Sequence, residues 1–215
     1  MRVAPLLPVA AEIVAALGAS GSLVGRAQAV LTQSPRTVED ILGDITRVGA
    51  AIDCADEAEE EVAGLRARIR RVHETLKGAA APRPRVAVIV QSDPVGTAGH
   101  WVPDQVKRAG GIDVLATVGA PPPAITAGQV RAADPEIVII APWGATLAEA
   151  AAAGRALLAQ PAWSWLRQRR TWALDGGALT SRPVPRVVDG IEVMARIFHA
   201  ALFTALDGTR AERLA

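Results

Sequence analysis

The sequence contains no tyrosine and only one cysteine, two phenylalanines and three histidines in 215 residues. Because Cys54 has no partner, an internal disulfide and a cysteine-based zinc site are both excluded. The three histidines are dispersed and form no H-E-x-x-H motif or comparable metal cluster. Beyond residue 18, no apolar run approaches the ~20 residues of a membrane span. We therefore expect folding to depend on a hydrophobic core alone.

Motifs of the common enzyme classes are absent as well. No Gly-Lys-Ser/Thr triplet marks a P-loop, and no G-x-S-x-G sequence marks a hydrolase serine. The glycine-rich residues 18–25 lack the G-x-G-x-x-G spacing and follow a helical pattern, so we interpret them as a helix stop. The 23 Lys and Arg residues nearly balance the 22 Asp and Glu residues, which gives no general attraction to nucleic acid. The sequence predicts neither an enzyme nor a nucleic-acid-binding protein.

Residues 1–18 have the basic start and apolar body of a signal peptide, but three features oppose that interpretation. Pro5 and Pro8 interrupt the helix that a signal peptide needs, Glu12 places a charge in it, and no clean A-x-A cleavage site follows. We predict instead a short strand at residues 2–7 and a helix that opens at Pro8. On this interpretation the chain is not exported and is cytoplasmic.

Two helical patterns follow, at residues 37–50 and 53–78. The second is acidic in its first half and basic in its second half, an order that complements the helix dipole. Its apolar residues form a single stripe, which predicts one buried face. The charged runs are then the solvated face of this long helix.

From residue 85 onward, short apolar runs alternate with helical patterns, ending in a helix at residues 186–203. This alternation predicts an α/β fold with a mostly parallel sheet covered on both faces. The buried strands are predicted at residues 85–91, 136–141 and 170–174. Residues 207–215 are charged and predict a fraying tail.

Unusual side chains follow each predicted strand. In open α/β sheets the ligand crevice lies beyond the carboxyl ends of the strands. Indole rings suit a large flat ligand, and arginines suit its carboxylate, amide or phosphate groups. The candidate ligand-binding residues are Gly99, His100, Trp101, Trp143, Asp175, Arg182 and Arg186.

The remaining tryptophans and histidines lie elsewhere in the pattern. Trp163 and Trp165 fall on a helix and Trp172 within a strand, so we expect them to pack in the core. His73 lies on the charged helix and His199 on the last helix, and we interpret both as structural.

Several segments resemble bacterial cobalamin-binding proteins, the substrate-binding components of cobalamin-type ABC importers. The matching segments, which cover nearly all of the chain from Arg2 to about Leu206, are RVAPLLPVAAEIVAALGASGSLVG, SPRTVEDILGDITRVG, GTAGHWVPDQVKRAGGIDVL, ADPEIVIIAPWG and ALDGGALTSRPVPRVVDGIEVMARIF. The most specific of them are GHWVP followed by AGG, and RPxPRxVDG.

The resemblance implies two α/β lobes with parallel sheets, joined by a long backbone helix and clamping the ligand between them. The implied division is a reduced first lobe (1–50), the backbone helix (51–80), a second lobe (81–206) and a flexible tail (207–215). The candidate residues would face a cobalamin or related corrinoid, bound without a covalent cofactor. The implied partner is an ABC permease, although residues 176–186 offer no carboxylate for docking. Such proteins are normally periplasmic or on the cell surface.

The first lobe departs from the family pattern. After Gly25, only residues 26–33 precede the next matching segment, so about two βα units of about 30 residues each are missing. We expect the strand at residues 2–7 to lack a partner and some apolar helix faces to lose part of their cover. The residues concerned are Val9, Ile13, Val14, Ile41 and Ile45. Two outcomes follow from this: a homodimer through the reduced lobe, or a first lobe that stays loose.

Two further functions stay open at this stage. The same fold could bind haem or a ferric chelate, with His100 as an axial or nearby group. A truncated chain could instead serve as a structural or interaction module without a ligand. An α/β enzyme is a third alternative that no motif supports.

Overall fold

The computed structural model describes residues 6–32, 34–92, 94–204 and 209–215. These residues form one mixed sheet with strand order β2-β1-β4-β5-β6, and β3 pairs with the start of β1. The strands are β1 (Arg85–Ser92), β2 (Val95–Thr97), β3 (Ile112–Asp113), β4 (Ile137–Ile140), β5 (Arg170–Leu174) and β6 (Ala211–Arg213). Strands β1, β4 and β5 are parallel neighbours, as the sequence predicts. The α/β fold class is confirmed.

Helices cover this sheet and build the whole of the described chain before it. They are α1 (Leu6–Ala16), α2 (Val24–Val30), α3 (Val38–Ala51), α4 (Ala55–Gly78), α5 (Val102–Arg108), α6 (Ala127–Ala132), α7 (Leu147–Ala159), α8 (Gly176–Leu179) and α9 (Val187–Phe198). Two 3-10 segments complete the helical structure: Gly21–Leu23 precedes α2, and Pro161–Gln168 connects α7 to β5. Among the described residues, no helix is long and apolar enough to cross a membrane.

Local sequence explains where several helices start. Three of them begin at a threonine whose hydroxyl accepts a hydrogen bond from the backbone three residues on, while the side chain at that position bonds back to the threonine. These capping boxes pair Thr37 with Asp40, Thr126 with Gln129 and Thr146 with Glu149. Each box satisfies backbone N–H groups that the first helical turn leaves unpaired.

The predicted strand at residues 2–7 is wrong where it can be compared. Leu6 and Leu7 already belong to α1, and residues 2–5 lie outside the described chain. Pro8 is the third residue of this helix, where its missing N–H costs nothing because first-turn N–H groups have no intrahelical partner. Gly18 ends the helix region with a φ of 68°, which suits the glycine stop. The short α2 helix has no counterpart in the sequence prediction.

The expectation of uncovered apolar faces in the first lobe is also wrong. Its five residues (Val9, Ile13, Val14, Ile41 and Ile45) are each at most 1% exposed. Helices α1, α2 and α3 pack on one another, and α3 packs on α4, so these faces cover each other. They therefore offer no apolar surface for a dimer.

Two polar contacts fasten the N-terminal helices to the rest of the chain. At the start of α3, the Val38 N–H donates to Asp104 Oδ2 of α5 at 3.0 Å, in a buried position. On α4, a terminal nitrogen of Arg68 lies 2.6 Å from both Asp189 and Glu192 of α9. These two carboxylates raise the pKa of Arg68, although partial burial opposes them. Contacts to α5 and to α9 thus hold the N-terminal helices against the sheet-bearing part of the chain.

Two strands at the edges of the sheet, β2 and β6, lie outside the strands that the sequence predicts. Strand β2 (Val95–Thr97) has no counterpart among the strands that the sequence predicts. Strand β6 lies in the predicted fraying tail (207–215) and pairs antiparallel with β5. This pairing covers the backbone edge that β5 would otherwise expose. Leu214 adds apolar packing against the helix layer, so the fraying prediction is wrong for residues 211–215.

One buried carboxyl group makes fold stability depend on pH. Asp113 ends β3, and its Oδ1 accepts hydrogen bonds from the backbone of Leu115 and Ala116 at 2.9 Å each. Its Oδ2 is buried without a hydrogen-bond partner among the described residues. Burial raises the pKa of Asp113 to about 6, against the opposing effect of the two backbone bonds.

We expect an Asp113→Asn variant to gain stability relative to the wild type as pH rises. The folded state favours protonated Asp113, so its contribution is fully present below pH ~4 and is lost as pH rises through 6. Asparagine keeps an acceptor oxygen but does not ionise. The difference in unfolding free energy, variant minus wild type, should rise by about 1–3 kcal/mol between pH 4 and pH 8. Urea unfolding at each pH measures it, with exposed Asp53→Asn as control. A difference that stays flat over this range contradicts the buried carboxyl.

Candidate ligand-binding site

Four of the seven candidate residues follow the parallel strands β4 and β5, and the other three follow β2, which runs antiparallel to β1. Because β1, β4 and β5 run in the same direction, their carboxyl ends lie at one edge of the sheet. The segments that leave this edge carry Trp143 after β4 and Asp175, Arg182 and Arg186 after β5, whereas Gly99 to Trp101 come after β2 has turned back along β1. Such an edge is where open α/β sheets bind ligands.

A second loop holds the segment after β1 in place. The His100 N–H donates to the Ala120 carbonyl at 2.7 Å, and the His100 carbonyl accepts from Gly119 at 3.0 Å. A Cβ on Gly99 would lie 2.5 Å from the backbone nitrogen of Pro122, so only glycine fits. His100 itself has a φ of 55°. The imidazole therefore projects from a backbone that is fixed on both sides.

The surroundings of His100 favour a neutral ring. Burial lowers its pKa below the ordinary histidine value, and the charge of Arg36 lowers it further. At neutral pH the ring has one nitrogen lone pair free of a proton. Arg36 belongs to the segment just before α3, so the first lobe reaches the surroundings of His100.

The two candidate tryptophans have different environments. Trp101 is 6% exposed and belongs to the main core, and its indole N–H has no hydrogen-bond partner in the described part of the chain. Trp143 is 43% exposed, on the turn after β4. Only Trp143 therefore offers ring surface to a ligand without rearrangement. Trp101 packs in the core next to His100, and the two ring centroids lie 6.2 Å apart.

The Trp143 turn is locked against the loop after β5. The Gly144 N–H donates to Ser181 Oγ at 2.9 Å. A Cβ on Gly176 would lie 2.4 Å from the Pro142 carbonyl oxygen, and one on Gly177 would lie 2.9 Å from the Gly144 carbonyl oxygen. The two loops can approach this closely only because both positions are glycine. Trp143 is thereby positioned beside the segment that leads to Arg182.

Asp175 has a structural task at this edge. Its Oδ1 accepts a hydrogen bond from the Ala178 N–H at 2.9 Å and so caps α8. Its Oδ2 lies 3.9 Å from an Arg210 nitrogen. Both carboxylate oxygens already have partners in the chain.

The two candidate arginines contact an acidic residue of the first lobe. Glu12 of α1 lies 2.5 Å from Nε of Arg186 and 3.4 Å from a terminal nitrogen of Arg182. Sequence analysis did not assign Glu12 to the site, nor Ser181 or Arg36. The one feature of the sequence that could have indicated a role for Glu12 is that it is the lone charge in an otherwise apolar helix.

The other aromatic and imidazole groups lie away from this edge. Trp163 and Trp165 are buried and stacked, with their ring centroids 6.4 Å apart, which confirms their predicted core position. Trp172 is partly buried in β5, and His73 lies on the exposed face of α4. His199 ends α9, where burial lowers its pKa. Over the described ranges, no three His, Cys, Asp or Glu side chains cluster closely enough to hold a metal ion.

A helix-covered mixed sheet with three parallel central strands and closely packed glycine loops is an α/β architecture that can bind a ligand beyond the carboxyl ends of its parallel strands. The chain matches the family model described as "Periplasmic binding protein" over residues 23–167, well over half its length. It belongs to the periplasmic binding protein family, whose members are non-enzymatic ligand-binding proteins.

Solved structures share this fold. A periplasmic binding protein from Veillonella parvula has 21% identity and a TM-score of 0.66, over 76% of this chain and 57% of that one. The vitamin B12 binding protein BtuF of Vibrio cholerae has 22% identity and a TM-score of 0.60, over 78% and 64%. A periplasmic heme binding protein from Pseudomonas aeruginosa has 24% identity and a TM-score of 0.60, over 85% and 64%. The chain thus spans less than two thirds of the length of each. No curated protein matches it in sequence.

Proposed function

We propose that this protein binds cobalamin or a related corrinoid as the substrate-binding component of an ABC-type importer. The observation that carries the proposal is the exposed Trp143 ring, held beside the Arg182 segment by the Gly144 to Ser181 hydrogen bond. The likeness in fold to the vitamin B12 binding protein of Vibrio cholerae supports the choice of ligand.

The edge suits a large ring system with polar side groups. An indole face buries a large area at a small cost in side-chain entropy, and so provides the apolar platform. Arg182 keeps over a third of its side chain exposed, and its guanidinium can donate to the amide or phosphate groups at the rim of a corrinoid. His100 adds a neutral imidazole on the segment after β2. In this proposal Gly99, Trp101 and Asp175 hold these three in position, and Arg186 supports Arg182 through their shared contact with Glu12.

Haem is the second candidate, because His100 is neutral and sits in a fixed loop. An imidazole in that state can donate a lone pair to iron without first losing a proton. The fold likeness to the heme binding protein of Pseudomonas aeruginosa supports this alternative. A ferric chelate would use the same edge. Arg182 would then face the carboxylates of the ligand.

The proposal retains the division that the sequence implies for most of the chain. Residues 1–50 form a reduced first lobe, residues 51–80 contain the connecting helix, and residues 81–206 form the lobe that carries most ligand contacts. A permease of the ABC class is the proposed partner. Docking would have to use carboxylates outside residues 176–186, where the sequence has none.

Absorbance titration of the purified protein separates the two ligands. Cyanocobalamin and haemin have different visible spectra, and each shifts when the ring leaves water for a protein site. We expect a saturable shift with cyanocobalamin that is tighter than that with haemin. A colourless sugar of similar polarity should compete with neither. Saturation with haemin alone would replace the first candidate by the second, and saturation with neither would leave the chain as a module without a tetrapyrrole ligand.

A further inference from the structure

The contact between Glu12 and the two arginines has an unusual charge balance. Glu12 is the one charged residue of α1, and its side chain is 22% exposed. In the described part of the chain, it is the one acidic side chain within ion-pair distance of Arg182 or Arg186. Two guanidinium groups therefore face one carboxylate. The group retains one excess positive charge at the ligand edge.

The geometry leaves most arginine donors unused by Glu12. Each guanidinium has five N–H donors, and Glu12 reaches one nitrogen of each arginine. Both arginine side chains keep about a third of their surface exposed. A carboxylate or phosphate arriving from solvent can therefore reach the same two side chains. To bridge the two guanidinium groups at the position that Glu12 holds between them, it must displace Glu12.

We propose that Glu12 competes with anionic groups of the ligand for Arg182 and Arg186, and so sets the charge selectivity of the site. This inference rests on the proposed function and extends it to a residue outside the ligand edge. A ligand anion that displaces Glu12 leaves a largely buried carboxylate without its partners, which opposes binding. A ligand without an anionic group leaves the contact intact. Glu12 thus weakens the binding of carboxylate- or phosphate-bearing ligands without affecting neutral ones.

The competing explanation is that Glu12 has only a structural role, linking α1 to the loop before α9. If that role were its only one, removing the Glu12 charge would change fold stability and would change the binding of every ligand by the same factor. Competition changes the ratio between an anionic ligand and its neutral analogue. That ratio is the quantity to measure.

The test compares matched ligand pairs on Glu12→Gln, which keeps the side-chain volume and removes the charge. Haemin is paired with haemin dimethyl ester, and cyanocobalamin with dicyanocobinamide, which lacks the nucleotide phosphate. The control is Glu39→Gln, which removes an equal charge from the exposed ion pair with Arg66. Urea unfolding confirms that each variant folds.

We expect Glu12→Gln to tighten the anionic member of the bound pair about three- to tenfold and the neutral member less than twofold. Glu39→Gln should change neither. Arg182→Gln, which leaves the Arg186 contact with Glu12 in place, should lower the preference for the anionic member about threefold. Equal changes for both members, or no change for either, would overturn the inference. The pair that responds identifies the anion as a carboxylate or a phosphate.

A second measurement uses inorganic phosphate and does not depend on tetrapyrrole binding. At ionic strength matched with sodium chloride, phosphate should raise the melting temperature of Glu12→Gln more than that of the wild type. Adding Arg182→Gln to this variant should remove the difference. Equal responses of wild type and Glu12→Gln would refute the competition. If phosphate discriminates while no tetrapyrrole binds, the proposed function fails and the anion subsite stands.

Discussion

Replacing Trp143 by alanine is expected to weaken corrinoid binding about 30-fold or more and to abolish most ligand-dependent tryptophan quenching. Exposed tryptophans at binding surfaces commonly contribute ~2 kcal/mol or more, which corresponds to that factor. The fold should change little, because a 43% exposed ring on a turn contributes little to the core. We expect the unfolding free energy to stay within ~0.5 kcal/mol of the wild type. Fluorescence titration and urea unfolding measure the two quantities.

The matched control is Ile112→Ala. Ile112 is equally exposed at 43%, but it lies on β3, beside the amino end of β1 and so at the opposite edge of the sheet. This variant should bind as the wild type does. Unchanged quenching in Trp143→Ala would remove Trp143 from the site and move the ligand elsewhere.

Replacing Gly176 by alanine is expected to impair both stability and binding. The added methyl carbon would lie 2.4 Å from the Pro142 carbonyl oxygen and 3.0 Å from the Ala141 carbonyl carbon, both backbone atoms that cannot rotate away. The loop after β5 must therefore move off the Trp143 turn. Overpacking of this kind costs about 1–3 kcal/mol. Displacing the Arg182 segment from Trp143 should weaken ligand binding about tenfold.

Gly128→Ala provides the comparison for Gly176. Gly128 is exposed in α6, and its nearest neighbour would lie 3.9 Å from the new methyl group. Alanine there should stabilise the helix by up to ~1 kcal/mol and leave binding unchanged. If Gly176→Ala bound ligand with wild-type affinity and stability, the close contact between the two loops would not exist.

The sequence was sufficient to predict the central strands and most helices. Strand β4 is a run of four buried apolar residues, a pattern typical of a parallel strand covered on both faces. The edge strands were missed for a physical reason. Two of the three residues of β6 are charged and none of the three is buried, and their pairing depends on the free edge of β5, which no local pattern reveals.

The prediction that missing βα units would leave apolar helix faces uncovered was wrong for the first lobe. Removing strands from a sheet predicts uncovered helices, yet residues such as Ile13 and Ile45 are fully buried. Helices α1 to α4 cover one another, an arrangement that follows from tertiary packing and not from periodicity. The absence of the βα units therefore did not leave the apolar faces of these helices exposed.

The site was predicted through topology more than through side-chain chemistry. This reasoning put Trp143 and the segment from Asp175 to Arg186 after parallel strands, but Gly99 to Trp101 come after β2, which turns back along β1. It did not distinguish the exposed Trp143 from the buried Trp101, because burial depends on neighbouring helices. It also missed Glu12, which reaches Arg182 and Arg186 from more than 160 residues earlier in the chain.

Calorimetric titration with cyanocobalamin tests the central claim most directly, namely that this short member of the family still holds a corrinoid. A reduced first lobe leaves the ligand less enclosed than the 70–90% burial usual for closed pockets, so the affinity should be modest. We predict one saturable site per chain with a Kd in the micromolar range. The absence of saturable heat at concentrations well above that range would contradict corrinoid binding. Nanomolar binding by the monomer would contradict the reduced first lobe.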